Sequence, residues 1–212
     1  MTLRARLCAL LAACVTLVAA EEPIKVACIG DSITQGVGAE RGKSYPDQLQ
    51  ALLGDKYKVG NFGVSARTLL QKGDFPYRKE KKYQEALQMK PNIVIIMLGT
   101  NDTKPQNWKF EAEFVGDYRD LIKSFQELPS KPKVFVCRPC PVPGKGNFGI
   151  NEENVLKEIE RLDPLIKEMG CGMIDMHAAL LEKAPMLPDR VHPNTAGAGE
   201  MAKAAHRAIT TK

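Results

Sequence analysis

Residues 93–98 read Ile93-Val94-Ile95-Ile96-Met97-Leu98, with Asn92 before them and Gly99-Thr100-Asn101-Asp102 after them. An uninterrupted apolar run of this length, bounded by turn residues, has the pattern of a strand buried on both faces. Ile24 to Ile29 (IKVACI), ending at Gly30, repeats it. Tyr57 to Phe62 is a weaker second strand, Val134 to Val136 a fourth, and Met173 to Ile174 sits in a short fifth. Helical spacing fills the intervals. It appears around Leu49, Leu52 and Leu53 (stopped by Gly54) and over Lys79 to Met89 (closed by Lys90-Pro91). It recurs at Phe114, Tyr118, Leu121, Ile122 and Phe125, and at Val155, Ile159, Leu162, Ile166 and Met169 despite Pro164. The last helix covers Thr195 to Ile209. Strands alternating with amphipathic helices indicate an α/β fold, a parallel sheet covered by helices on both faces.

The composition agrees with one domain. The chain has 212 residues, 44% hydrophobic and 26% charged, which excludes disorder, collagen and coiled coil as whole-chain descriptions. Thirty Lys and Arg against 25 Asp and Glu give a formal charge of +5, too mild and dispersed for a nucleic-acid partner. Pro139 to Gly149 is the longest expected loop, and no linker or internal repeat divides the chain.

The first twenty residues read separately. Arg4 and Arg6 precede the apolar run Leu7 to Val18, and Ala19-Ala20 precede Glu21-Glu22-Pro23. A basic start, a short apolar run and small residues at the cut make a secretory signal peptide, residues 1–20, with the folded domain at 21–212. The apolar run is too short for a transmembrane anchor. Leu11-Ala12-Ala13-Cys14 resembles a lipoprotein box, but the apolar run continues past Cys14. The expected destination is the periplasm or the extracellular space. Export permits disulfides, and Cys137-Arg138-Pro139-Cys140 is open to two readings, a disulfide or two buried thiols. Cys28 and Cys171 lie in apolar strands and read as core. With no second Cys pair or His cluster, no metal site is expected.

In open parallel sheets, sites form at the carboxyl ends of the strands. Strand one leads into Gly30-Asp31-Ser32-Ile33-Thr34, strand two into Asn61-Phe62-Gly63-Val64-Ser65, and strand three into Gly99-Thr100-Asn101-Asp102. Asp189-Arg190-Val191-His192 precedes the last helix. Together they offer the parts for acyl transfer. Ser32 is the nucleophile, and His192 takes its proton. Asp189, three residues earlier, fixes the imidazole tautomer. The oxyanion donors are the Ser32 N–H, the Gly63 N–H and the Asn101 side-chain amide. His177 also has an Asp nearby, in Asp175-Met176-His177, but reads as a surface or helix-start residue. Ser32 and Asp31 could alternatively cap the helix after strand one, and Asn101 and Asp102 could be turn formers.

These four segments resemble the SGNH hydrolases, or GDSL-type esterases, named for a Ser, Gly, Asn and His in four blocks. Ser32 in GDSIT, Gly63 in NFGVS, Asn101 in GTND, and Asp189 with His192 in DRVH match the blocks in the family's order. Ile33 stands where the family's name quotes leucine. The resemblance implies a three-layer α/β/α sandwich, flavodoxin-like, with strand order 2-1-3-4-5. It also implies ester hydrolysis through an acyl-serine intermediate without metal or cofactor. The Gly-x-Ser-x-Gly elbow of α/β-hydrolases is absent around Ser32.

NFGVSARTLL and GTNDTKPQNW look like segments of bacterial carbohydrate esterases, including sialate and xylan O-acetylesterase types. The expected substrate is therefore a small acylated molecule, an acetylated sugar or glycan. The alternatives are a lysophospholipase or acyl-CoA thioesterase on the same fold, and a non-catalytic glycan-binding module. Candidate substrate contacts are Asp31, Asp102, Arg67 and Trp108. Trp108, the only tryptophan, could be a sugar platform or could pack against the next helix, and Arg67 could hold substrate or make a structural hydrogen bond.

Overall fold

The computed structural model describes residues 22–211. The expected signal segment, residues 1–20, lies outside the described residues.

The sheet has five parallel strands: β1 (Ile24–Gly30), β2 (Tyr57–Gly63), β3 (Ile93–Met97), β4 (Lys133–Arg138) and β5 (Gly172–Asp175). Their order is β2-β1-β3-β4-β5, as the resemblance implies. The chain runs outward from β1 to β2, then crosses back to β3 on the other side of β1. At this switch the ends of three strands lie together, with Gly30 opposite both Gly63 and Met97. A crevice opens at such a point in parallel sheets.

Between the strands run α1 (Ser32–Gln35), α2 (Tyr45–Leu53), α3 (Lys81–Gln88), α4 (Pro105–Trp108), α5 (Phe114–Gln126) and α6 (Glu152–Glu168), and α7 (Met176–Leu180) and α8 (Thr195–Thr210) follow β5. Alternate strand residues feed two cores, because side chains on a strand point to opposite faces. Ala27, Ile29, Val94, Ile96, Val134 and Val136 face α3, α5 and α6. Val26, Cys28, Ile95, Met97, Phe135 and Cys137 face α2, α7 and α8. The stripe Phe114, Tyr118, Leu121, Ile122 and Phe125 is fully buried, and each such side chain contributes about 1.5–3 kcal/mol through burial.

Pro164 lies inside α6, yet the helix continues to Glu168. An interior proline costs about 3 kcal/mol, and the burial of Leu162, Leu165 and Ile166 on the sheet offsets it. Lys79 to Met89 divides into a 3-10 turn at Tyr77–Lys79 and then α3. The β4–α6 connection is the expected long loop, running to Asn151. The stretch 64–76 also lacks helix and strand apart from an isolated bridge between Thr68 and Pro76. Cys137 and Cys140 are free, buried thiols, and the Cys140 Sγ lies 3.8 Å from the Met201 Sδ. Cys171 is also free, but it precedes β5 and is only partly buried. No helix among the described residues is long and apolar enough to cross a membrane.

Candidate active site

Gly30 ends β1, and a side chain there would overlap Thr34. Asp31 then caps α1, its Oδ1 accepting the Ile33 N–H at 2.9 Å. Ser32 follows as the first residue of this one-turn helix, which stops at Gly36 with φ 104°. A short helix with a tight stop points the Ser32 hydroxyl into the crevice and leaves its N–H without an intrahelical acceptor.

The Ser32 Oγ lies 2.9 Å from the His192 Nε2. The His192 Nδ1 lies 2.7 Å from the Asp189 Oδ2. The Asp189 Oδ1 accepts the N–H groups of Val191 at 2.9 Å and His192 at 2.7 Å. The Asp-x-x-His spacing thus lets one carboxylate hold both the loop backbone and the ring. Arg190, between them, takes a left-handed φ of 71°. Burial acts to raise the Asp189 carboxyl, but the hydrogen bonds from His192 and Val191 outweigh it and hold the group below its ordinary value. It is therefore an anion beside the ring, which fixes the tautomer that leaves Nε2 free to accept a proton.

The donor set differs from the sequence expectation at one position. The Gly63 N–H is given to the Asn61 Oδ1 at 2.9 Å. A side chain at Gly63 would overlap the α1 backbone at Gln35. The glycine is thus required for the packing of β2 against α1, and its amide is spent inside the protein. Ala66, three residues on, lines the crevice with Ser32 and Asn101. Its φ is 65°, and its N–H has no hydrogen-bond partner among the described residues. Asn101 lies where expected. Its amide donates to the Arg67 carbonyl at 3.1 Å and, over a longer 3.3 Å, to the Asp31 Oδ2.

The four candidate substrate contacts all make bonds or packing contacts within the protein. Asp31 is buried beneath α1. Asp102 is fully buried and accepts the N–H groups of Leu69 at 2.9 Å and Leu70 at 2.7 Å, which anchors the loop carrying Ala66. The Arg67 guanidinium is taken by Glu80 at 2.8 Å and by the Ser65 carbonyl at 2.9 Å. Trp108 is only 9% exposed and packs edge-on against Phe114 in the core, with Arg161 over its ring. His177 lies in the first turn of α7 and binds Glu152 at 2.7 Å, apart from Ser32.

Three buried carboxyls underlie the crevice. Burial raises Asp31 from 3.8 to about 6 and Asp102 from 3.8 to about 7. Glu158, on α6, is fully buried, and neither of its oxygens has a partner among the described residues. Burial, reinforced by Asp102 and Asp31, pushes it well above the carboxylate range, so it holds its proton. It lies under Gly99, whose φ of 128° and lack of a side chain leave room for the carboxyl.

The crevice encloses about 240 Å³. Its walls beyond the polar groups are Val37, Ile150, Val191 and Phe148, with Lys104 at the rim. Sequence reading missed Ala66 and Phe148. A left-handed non-glycine residue has no local signature, and Phe148 is one aromatic in a long loop.

Residues 28–199 fit the sequence pattern of the GDSL-like lipase/acylhydrolase family. An acetylxylan esterase of Xylanibacter ruminicola is 42% identical over a match that covers 89% of this chain and 44% of that protein. The chain thus spans less than half the length of this curated relative. Among solved structures, a carbohydrate acetylesterase from Sinorhizobium meliloti superimposes with a TM-score of 0.68 at 22% identity, covering 87% of this chain and 97% of the other. A variant of an acetylxylan esterase from Geobacillus stearothermophilus gives 0.67 at 23%, covering 89% and 94%. At these identities the structural matches show the fold.

Proposed function

The chain belongs to the GDSL-like lipase/acylhydrolase family, and from that premise we propose that it is a serine esterase removing acetyl groups from carbohydrates. The observation that carries this reading is the unbroken relay from Ser32 through His192 to Asp189, with contacts of 2.9 and 2.7 Å. In the proposed reaction the Ser32 oxygen attacks the ester carbonyl while the His192 Nε2 takes its proton. Asp189 stabilises the resulting imidazolium. The negative oxygen of the tetrahedral intermediate receives the Ser32 and Ala66 N–H groups and the Asn101 amide. Each such donor is worth roughly 3–4 kcal/mol in the transition state. His192 then returns the proton to the departing alcohol oxygen, leaving acetyl on Ser32. A water, deprotonated by His192, attacks that ester, and acetate leaves as Ser32 regains its proton.

The small crevice supports a short acyl group, since sites for larger ligands typically occupy roughly 300–1,000 Å³. The likeness to an acetylxylan esterase supports a xylose-based polysaccharide as the acetylated partner. The basic and apolar start of the chain supports export. Turnover of p-nitrophenyl acetate, butyrate and octanoate, with Ser32→Ala as control, tests the reading. The expected result is preference for acetate, loss of turnover in the control, and acetate release from acetylated xylan. Activity rising with chain length would instead indicate a lipid or thioester hydrolase. Absence of turnover on every ester would indicate a binding module.

A further inference from the structure

Phe148 is 56% exposed and lines the crevice. Its ring lies against the His192 ring, with centroids 5.7 Å apart and planes tilted by 57°. Its backbone has φ 53°, a left-handed conformation that bulky residues seldom adopt. Asn147 holds it there. The Asn147 Oδ1 accepts the Phe148 N–H at 2.9 Å, and its Nδ2 donates to the Asp189 carbonyl at 3.0 Å. Backbone bonds between Asn147 and Ile150, at 3.1 and 2.8 Å, close the tip of the loop. A single side chain therefore ties the exposed ring to the segment that carries His192. Backbone strain maintained by such supports is typically found where a group must be held in place for function.

We propose that Phe148 is the platform for the sugar ring that leaves in the reaction, a pyranose stacked face-on by its C–H groups. The inference rests on the carbohydrate esterase reading given above. Its geometric basis is the path of the proton. The His192 Nε2 must protonate the departing oxygen, so the alcohol half of the ester has to lie beside the imidazole. Phe148 is an apolar surface lying against that imidazole, and its electron-rich face suits the polarised C–H bonds of a sugar. Lys104 stands next to it, since a side chain added at Gly149 would touch the Lys104 and Pro105 side chains at 3.8 and 3.5 Å. Lys104 lines the crevice and makes no ion pair among the described residues, so its ammonium is available to sugar hydroxyls.

The test compares two acetyl esters that differ only in the leaving alcohol: ethyl acetate and a mono-O-acetylated methyl xylopyranoside. Phe148→Ala is expected to raise KM for the xyloside about tenfold, with kcat little changed, as expected when binding common to ground and transition states is removed. The KM of this variant for ethyl acetate should rise far less than its KM for the xyloside, and Phe148→Tyr should retain both activities. Equal losses on the two esters would overturn the inference, because they would mean that Phe148 acts by positioning His192. An unchanged KM for the xyloside would overturn it as well. A wild-type protein that hydrolyses ethyl acetate but not the xyloside would contradict the carbohydrate reading itself, an outcome recognisable without any variant.

Discussion

The side-chain oxygen of Asn61 accepts the backbone N–H of Gly63 at 2.9 Å, which turns the amide of the glycine block away from the crevice. Ala66 lines the crevice in its place, in a left-handed turn with φ 65°, and its N–H has no hydrogen-bond partner among the described residues. The two positions therefore have separable roles. Replacing the Ala66 amide by an ester, with lactate in place of alanine, should lower kcat on p-nitrophenyl acetate by about 10²–10³-fold with little change in KM. Gly63→Ala should instead reduce thermal stability and soluble yield, because the added methyl overlaps the α1 backbone. A large kcat loss from an ester at residue 63, with none at 66, would reverse the assignment.

Asp189 combines a structural and an electrostatic task, and Asp189→Asn separates them. The amide oxygen can still accept from Val191 and His192, so the loop should keep its shape. Its NH2 group cannot accept from the imidazole, which then presents the wrong tautomer to Ser32. A kcat loss of about 10⁴-fold, with a near-native circular dichroism spectrum, is expected. His177→Ala should keep most of the activity, because His177 is paired with Glu152 and not with Ser32. The two histidine variants are compared by steady-state kinetics, and His192→Ala should be the inactive one.

Glu158 should impose a pH dependence on stability. Its folded-state pKa is raised well above the ordinary carboxyl value, so the folded protein holds a proton that the unfolded chain releases. The unfolded state then binds fewer protons, and stability falls as pH rises above about 4.5. Asp31 and Asp102, raised to about 6 and about 7, add losses of the same sign between pH 4 and 7. Glu158→Gln removes the Glu158 shift with little change in side-chain volume. Its Tm should match or exceed wild type at pH 8, and the advantage should shrink at pH 5. A Tm that drops equally at both values would show that the carboxyl makes a specific bond that the amide cannot replace.

Of the two roles open to Trp108, the structure shows packing against Phe114. Trp108→Phe should cost roughly 1–3 kcal/mol of stability, measured by urea unfolding, through lost packing on Phe114. The variant should leave KM for acetylated sugars unchanged. A raised KM with unchanged stability would return Trp108 to the site.

Much of this arrangement was legible because its signals are local. The apolar runs Ile93–Leu98 and Ile24–Ile29 carry their strand character within a few residues, and the order of elements follows from them. Ser32, Asp189 and His192 were legible because Asp-x-x-His places carboxylate and ring within one turn, and Ser32 follows directly from β1. The donors were only partly legible. A glycine in a sequence pattern can serve close approach to a ligand or close packing of backbone, and at Gly63 the partner that decides is Gln35 on another element. Arg67 was open between two roles because Glu80, which takes its guanidinium, reaches it only through the fold of the 64–76 stretch. The fate of Trp108 and Phe148 depended on tertiary packing alone: one lies over the α5 stripe and the other at the tip of the β4–α6 loop. Local periodicity carries no information about either.

The most direct measurement is rapid-quench mass spectrometry of the protein mixed with p-nitrophenyl acetate. One acetyl group should appear on the peptide containing Ser32 within the burst of p-nitrophenolate release, and none should appear in His192→Ala. An acetyl group on a different residue, or sustained turnover by Ser32→Ala, would contradict Ser32 as the nucleophile of this site.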